Sequence, residues 1–321
     1  MKLLSAAALA LALASTALAA DQKKPKDDPS QIGDRNVGNC LNLYSIQKEM
    51  ALGQQLAREV TKQSRLLDDP IISEYVNRIG QNLARNSDAK VPFIFYVIDG
   101  DEANAFALPG GYVFVYTGLI KVASEEDEFA GALAHEIAHV AARHMTCQAT
   151  KAQIAGVAGI IPGVLLGGWA GYGARQAVNA AIPIASRGFS RHDETEADYL
   201  GVQYMYAAGY DPTGAVSIFE KLESMQKTRP SAVAKVLATH PMDSDRIDRT
   251  EKEIQRILPS RSEYVVTTSE YRDMRDRLIT LENRRQPSTE NRPHLIRAGD
   301  DKLPDTGTDA RPTVKRKDIV E

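Results

Sequence analysis

The residues at positions 135–139, His-Glu-Ile-Ala-His, have types and spacing that suit metal-dependent hydrolysis. Histidines four residues apart lie about one turn apart on a helix, so both imidazoles project from one face and can share a metal ion. The glutamate beside the first histidine can reach a water bound to that metal. Zinc lowers the pKa of such a water, and the carboxylate takes its proton as the water attacks a peptide carbonyl. The pattern predicts a zinc site at His135 and His139, with Glu136 as general base.

The residues around this motif bear on whether it is a metal site or a chance match. The alternative is a buried helix whose polar side chains are satisfied by ordinary partners. The neighbouring side chains are small or apolar, and they comprise Ala132, Leu133, Ile137, Ala138 and Val140. Ionisable groups on a helix built for burial are costly unless they are paired or bound to a metal. The surroundings therefore favour a metal site.

A catalytic zinc site needs a third protein ligand and an open coordination position. In one common extension of the motif a histidine six residues after His139 supplies that ligand, but the residue there is Met145. We interpret the neighbouring His144 as a helix cap or as a group that contacts a ligand. The third ligand must therefore come from elsewhere in the chain.

A better candidate lies in the acidic run that begins at Asp193. Glu194 and Asp198 are four residues apart on a predicted helix and therefore share one face. Glu194 can bind the metal, while Asp198 can accept a hydrogen bond from a ligating histidine and fix its tautomer. Glu196 points elsewhere by the helical period. An acidic first turn that stabilises the helix dipole explains these residues equally well, so spacing alone leaves both interpretations open.

Periodicity elsewhere predicts the elements that must position these residues. Apolar residues at every third or fourth position predict helices, and β-branched and aromatic runs predict strands. Predicted helices span 45–60, 70–85, 124–143, 191–208, 213–222, 245–257 and 269–281, and predicted strands span 91–98, 112–117 and 264–266. We expect 104–111 to be a loop bordering a cleft, and 112–117 to be a sheet edge that binds extended substrate. A short polar stretch should lead to Thr239.

Several separated motifs, in one order, give the chain a family resemblance. HEIAHVAARH at 135–144 is followed by SRHDETEAD at 190–198 and AGYDP at 208–212. NAFALPGGYVFVYTG at 104–118 precedes them, and THPMDSDRI at 239–247 follows. From about residue 45 to 281 the chain resembles the zinc peptidase family of HtpX and the CaaX prenyl protease. Within that family it is most similar to the soluble periplasmic branch that includes BepA.

This resemblance implies an α+β, zincin-like fold, mostly helical around a small β-sheet, with the motif helix at its centre. It implies one Zn²⁺ per chain, held by His135, His139 and Glu194, with Glu136 catalytic. Asp198 would then support a ligating histidine. These expectations agree with the reasoning from residue types and spacing.

The resemblance also singles out two residues near the end of the matched region. In the periplasmic branch the histidine that matches His240 can approach the zinc and block or tune it. Arg246 would lie near it and could stabilise the oxyanion that forms during attack. By itself, a histidine before a proline is more often an ordinary loop residue.

The implied activity is zinc-dependent endopeptidase hydrolysis of polypeptide substrates, misfolded envelope proteins among them, in periplasmic quality control. An alternative is a zinc-containing chaperone or assembly factor with latent or little proteolytic activity. The sequence departs from the BepA pattern in one respect. BepA continues into a helical repeat domain that holds partners, whereas residues 282–321 read as a disordered polar tail. Partner recognition is therefore not carried over.

The pattern of the N-terminal residues indicates an export signal. Lys2 precedes an uncharged Leu/Ala-rich stretch, and Ala17-Leu18-Ala19 fits the small-x-small cleavage pattern. We expect a signal peptide at 1–20, a polar, solvated lead-in at 21–44, the metallopeptidase domain at 45–281 and a periplasmic location. An uncleaved membrane anchor is the alternative.

Composition narrows the function classes further. Net charge is −3 and hydrophobic residues make up 43% of the chain, which gives no basic footprint for nucleic acid. Export makes a disulfide chemically possible, but two cysteines, Cys40 and Cys147, do not establish that they pair. The uncharged, glycine-rich segment 152–174 is a poor single helix in water. We expect it to form a flap near the site and to touch a membrane peripherally, with a true membrane span as the alternative.

Overall fold

A computed structural model describes residues 25–157, 188–241 and 244–285 of the chain. Predictions for 1–20, for most of 152–174 and for nearly all of 282–321 lie outside these ranges. The chain divides into two compact units, Met1–Thr280 and Leu281–Glu321, and the second is described only as far as residue 285. None of the described helices is both long and apolar enough to cross a membrane.

The described residues are mostly helical around one three-stranded sheet, as predicted. The helices are α1 (Ile46–Gln63), α2 (Pro70–Arg85), α3 (Thr117–Val122), α4 (Glu126–Ala141), α5 (His144–Val157), α6 (Arg191–Ala208), α7 (Thr213–Thr228), α8 (Pro230–Thr239), α9 (Ser244–Ile257) and α10 (Ser269–Arg285). The strands are β1 (Ile94–Ile98), β2 (Ala105–Leu108) and β3 (Tyr112–Tyr116).

Helix boundaries follow the capping residues that the sequence offers. Ser45 caps α1 and Asp69 caps α2, each by accepting a backbone N–H of the first turn. Ser190 and Asp193 form a reciprocal capping box at the start of α6. Gly209 ends α6 in the left-handed conformation, with φ of 92°. These local signals explain why the boundaries of α1, α2 and α6 could be predicted closely.

The sheet corrects the prediction for residues 104–111. The strand order is β1-β3-β2, with β3 parallel to β1 and antiparallel to β2. Residues 105–108 are thus a strand, and the true loop is the tight turn at Pro109-Gly110-Gly111, where both glycines have positive φ. β3 therefore lies at the centre, so the expected sheet edge at 112–117 is wrong, and the edge strands are β1 and β2. Aromatic stacking across the sheet, Phe106 on Phe114 at 5.1 Å between centroids, stabilises this pairing.

Three other stretches differ from the sequence predictions. The expected polar stretch before Thr239 contains helix α8, since its Ala and Val residues allow a helix that begins at Pro230. The chain re-enters a helix at His144, directly after α4. The expected strand at 264–266 reduces to a single bridge between Val265 and Tyr210.

The motif helix α4 lies at the centre of the fold. Every residue of α4 except Ala132 is buried, which agrees with the prediction for this helix. Two glycines let its neighbours approach its backbone. A Cβ on Gly131 would lie 2.7 Å from Cα of Ala215 on α7, and one on Gly201 of α6 would lie 3.3 Å from the backbone nitrogen of His135. This close α4–α6 approach brings the acidic first turn of α6 beside the motif histidines.

Part of the described lead-in packs against the fold, although most of its residues are partly or fully exposed. Arg35 is buried, with Nη2 2.7 Å from Oδ2 of Asp88 and Nη1 2.6 Å from Oε1 of Gln203. A buried guanidinium needs such partners, because an unpaired buried charge is very costly. Cys40 is joined by a disulfide to Cys147 on α5. The pairing that the sequence left open thus fixes the lead-in to the helix after the motif.

We expect this disulfide to stabilise the fold substantially. Replacing Cys40 by serine should lower the free energy of unfolding by about 2–4 kcal/mol, because a crosslink over a long loop restricts the unfolded chain. Denaturant unfolding of wild type and Cys40→Ser, with and without dithiothreitol, measures this. The reductant should destabilise wild type and leave the variant unchanged. Equal unfolding midpoints for oxidised wild type and variant would contradict the prediction.

Candidate metal centre

Four side chains able to bind a metal converge at the middle of α4. His135 and His139 come from α4, Glu194 from the first turn of α6, and His240 directly follows α8. All four are buried, and one ligand atom of each lies within 4.8 Å of the others. Nε2 of His135 is 3.0 Å from Nε2 of His139 and 3.2 Å from Nδ1 of His240. Nδ1 of His240 is 3.0 Å from Oε1 of Glu194.

The chemistry of this donor set fits a bound zinc ion. Nε2 of His135 faces two other ring nitrogens, yet it has only one proton or one lone pair to offer. Hydrogen bonds alone therefore satisfy this cluster poorly, whereas a cation at its centre would satisfy all of the lone pairs. Tetrahedral zinc with bonds of about 2.0–2.1 Å places its ligand atoms about 3.3 Å apart. The observed separations are close to that value.

Asp198 and Arg246 support the cluster from the α6 side. Nδ1 of His135 lies 3.0 Å from Oδ1 of Asp198, so a neutral His135 keeps its proton on Nδ1 and leaves the lone pair of Nε2 for a metal. Arg246 holds Asp198 in a bidentate contact, with Nε 2.6 Å from Oδ2 and Nη2 2.7 Å from Oδ1. Nη1 of Arg246 is also 2.7 Å from Oε2 of Glu194. A suggested role for Arg246 in stabilising an oxyanion stays a prediction.

The pKa shifts of the proposed ligands favour a charged carboxylate at Glu194 and a neutral imidazole at His139. Burial would raise the pKa of Glu194, but attraction to His240 and hydrogen bonds from His135 and His139 bring it well below the usual range. Burial holds the pKa of His139 well below its ordinary value, which favours the neutral imidazole that a metal needs. Hydrogen bonds to Asp198 and Glu194 outweigh burial and raise the pKa of His135 to about 9. Metal binding would therefore release a proton.

Glu136 lies at the edge of this cluster and lines an adjoining cleft. Oε1 of Glu136 is 3.5 Å from Nε2 of His240, and the carboxyl group is buried. Burial raises the pKa of Glu136, although His240 and His135 partly counteract it. A carboxyl group with a raised pKa is suited to accept and return a proton near neutral pH.

Comparison with known proteins matches this part of the chain to one family. The model of "Peptidase family M48" matches residues 70–254, a range that includes the motif helix, the acidic turn and Arg246. The chain belongs to peptidase family M48. M48 peptidases use zinc, and the His-His-Glu-His group of this chain is positioned to hold one ion.

Curated relatives within this similarity carry two names. The chain is 31% identical to the beta-barrel assembly-enhancing protease of Yersinia pestis over 67% of its length, and 32% identical to that of Escherichia coli K12 over 63%. The alignments cover 46% and 43% of those proteins, so the chain spans about half the length of these M48 relatives. It is also 31% identical to the mitochondrial metalloendopeptidase OMA1 of Schizosaccharomyces pombe, over 66% of this chain and 63% of that one.

The structure brings together every residue that the sequence singled out for this site. Glu196 is not among the four clustered side chains, and its Oε2 lies 3.2 Å from Nε2 of His144 instead, which agrees with the prediction from the helical period. Phe189, which sequence reasoning missed, stacks on His139 with ring centroids 3.9 Å apart. It precedes α6 by two positions and carries no pattern that could have marked it, because the contact depends on how the chain returns to α4.

We predict that zinc retention depends on Glu194 and not on Glu136. Wild type and Glu136→Gln should each retain about one zinc per chain, while Glu194→Ala should retain much less because one ligand and the negative charge of the site are lost. Elemental analysis of the three purified proteins after dialysis tests this. Glu136→Gln is the matched control, since it alters a buried carboxylate of the same cluster. Full zinc retention by Glu194→Ala would rule out its role as a ligand.

Proposed function

We propose that this protein is a zinc-dependent endopeptidase, with His135, His139 and Glu194 as metal ligands and Glu136 as general base. One observation carries the proposal: a buried glutamate borders both a zinc-compatible donor set and an open cleft. Membership of family M48 agrees with it. Zinc, when bound, would polarise a peptide carbonyl and make an attacking water more acidic.

The residues of this chain would divide the work of hydrolysis. His135, His139 and Glu194 hold the ion, and Asp198 fixes the tautomer of His135. Glu136 takes a proton from the attacking water, and its raised pKa helps it to return that proton to the leaving amine. The proton thus moves from water to the amine through a single carboxylate, and no covalent enzyme intermediate is needed.

The size and lining of the cleft beside Glu136 favour a polypeptide as the substrate. It has a volume of about 450 Å³ and runs between α1, β2 and the end of α8. Its wall is largely apolar, with Leu56, Val60, Phe106, Leu108 and Met145 among the lining residues. Of the described strands only β3 pairs with β2, so an extended peptide can add to the other edge of β2 by main-chain hydrogen bonds. We infer that the cleft accepts a bulky apolar side chain near the scissile bond.

Export and the names of the relatives support a location and a role. The N-terminal pattern of a signal peptide points to the periplasm, and two of the relatives are named for enhancing the assembly of β-barrels. We propose that the protein acts in the periplasm on envelope proteins, misfolded ones among them. Peripheral membrane contact through 152–174 stays a prediction.

His240 gives one specific reason to keep a second candidate function. Its Nδ1 lies among the proposed ligand atoms and its Nε2 faces Glu136. A histidine in that place can occupy the coordination position that a catalytic site keeps open. The second candidate is therefore a zinc-containing assembly factor whose proteolytic activity is latent.

The central test compares casein hydrolysis by zinc-loaded wild type and Glu136→Gln. We expect the variant to lose about 100- to 10,000-fold in rate, because general base catalysis contributes about that much, while its zinc content is unchanged. Wild-type activity in the Glu136→Gln protein would refute the assigned base. A zinc-loaded wild type with no hydrolysis would favour the latent assembly factor.

The apolar cleft makes a second prediction. Val60→Asp should lower kcat/KM at least about 10-fold for peptides with a bulky apolar residue next to the cleaved bond, because the carboxylate would be placed against that side chain. Quenched fluorescent peptides that differ only at this residue measure the effect. Ile71→Asp, which changes an exposed apolar residue on α2, is the matched control. Equal losses in both variants, or none in Val60→Asp, would contradict the placement of the subsite.

A further inference from the structure

The two motif histidines are supported differently on the side that faces away from the cluster. His135 has a carboxylate, Asp198, directly at its Nδ1. His139 has another histidine there: its Nδ1 lies 2.9 Å from Nδ1 of His144, the first residue of α5. Nε2 of His144 in turn lies 3.2 Å from Oε2 of Glu196 on α6. His144 is only 2% exposed, so solvent does not substitute for these partners.

The direction of each hydrogen bond in this chain follows from its carboxylate end. An ionised carboxylate can only accept, so Nε2 of a neutral His144 carries the proton and donates it to Glu196. Nδ1 of His144 is then an acceptor, and it requires the proton of His139 to reside on Nδ1. Nε2 of His139 is left with a lone pair, and this is the atom that faces the other proposed ligands.

Glu196 is itself held by the lead-in segment. Its Oε1 accepts the backbone N–H of Gly38 at 3.2 Å and lies 3.3 Å from Nζ of Lys26. Gly38 has φ of 76°, and a Cβ there would lie within 2.1 Å of the carbonyl oxygen of Ala142. Only glycine allows this approach to the end of the motif helix. The two oxygens of Glu196 therefore have separate partners, one in the lead-in and one in His144.

We propose that His144 and Glu196 form a relay that positions His139 and fixes its tautomer for metal binding, and that the lead-in secures the relay. His144 and Glu196 are positioning residues, since both act through His139. The inference rests on the proposed role of His139 as a ligand, and it does not depend on peptidase activity. It predicts that zinc affinity depends on residues that never touch the metal.

Zinc affinity of the full chain, measured by competition with a chelating dye, tests the relay. His144→Phe keeps an aromatic ring but removes both hydrogen bonds. We expect this variant to have a Kd for zinc about 10- to 100-fold higher than that of wild type. In Glu196→Gln only one of the two oxygens remains, so the side chain must turn an N–H towards either His144 or Gly38. This variant should also bind zinc more weakly than wild type. Since the relay acts as one unit, the double variant should bind zinc about as well as His144→Phe alone.

Two control variants separate the relay from general damage. Glu253→Gln removes a carboxylate on the neighbouring helix α9 that pairs with Arg256, and His192→Ala removes an exposed histidine of α6. Both should bind zinc as wild type does. The unfolding temperature of each protein in excess chelator reports on the fold without the metal. A relay variant should keep nearly the wild-type unfolding temperature under these conditions, although its zinc affinity is lower.

Three results would overturn the relay. The first is wild-type zinc affinity in a folded His144→Phe protein, and the second is additive losses in the double variant. If His144→Phe does not fold, Glu196→Gln alone tests the relay. The third result is then a zinc affinity of Glu196→Gln equal to that of Glu253→Gln. Failure of the proposed peptidase function would look different, because a wild type that binds zinc without hydrolysing casein leaves these affinities measurable.

Discussion

Burial of charged and polar groups around one helix is the constraint on which the rest of the structure depends. His135, Glu136 and His139 occupy a helix that is almost wholly buried, and Glu194 is brought against them from α6. Such groups are stable in a protein interior only when every charge and lone pair has a partner. The geometry of metal binding and the stability of the fold therefore both require that the buried polar groups of α4 have a complete set of hydrogen-bond or ion-pair partners.

That demand explains the helix packing and the unusual glycines near the site. Glu194 reaches the histidines because α6 lies directly against the backbone of α4 at Gly201. The lead-in reaches Glu196 because Gly38 lies directly against the end of α4. A side chain at Gly38 would clash with the carbonyl oxygen of Ala142, and one at Gly201 would crowd the backbone of His135. The close contacts are thus part of the electrostatics of the site as well as of its packing.

Sequence reasoning succeeded where a local pattern determines structure and failed where distant contacts determine it. The boundaries of α1, α2 and α6 are set by their own caps, and the convergence of His135, His139 and Glu194 follows from helical period and family motifs. The sequence predicts a loop where β2 lies, because four residues before a Pro-Gly-Gly turn carry little strand signal of their own. Pairing with β3, which no local pattern encodes, makes them a strand.

The four metal-compatible side chains differ in how firmly they are held, and this difference bears on both candidate functions. His135 and His139 lie on a buried helix, and a carboxylate fixes the outer nitrogen of His135 directly. Glu194 is bound by Arg246. His240 instead follows the end of α8, and both of its ring nitrogens face Glu194 or Glu136, groups that a metal and a substrate would also engage. The groups at the ring nitrogens of His240 are thus the groups that a metal and a substrate would engage, so both candidate functions depend on how this histidine is placed.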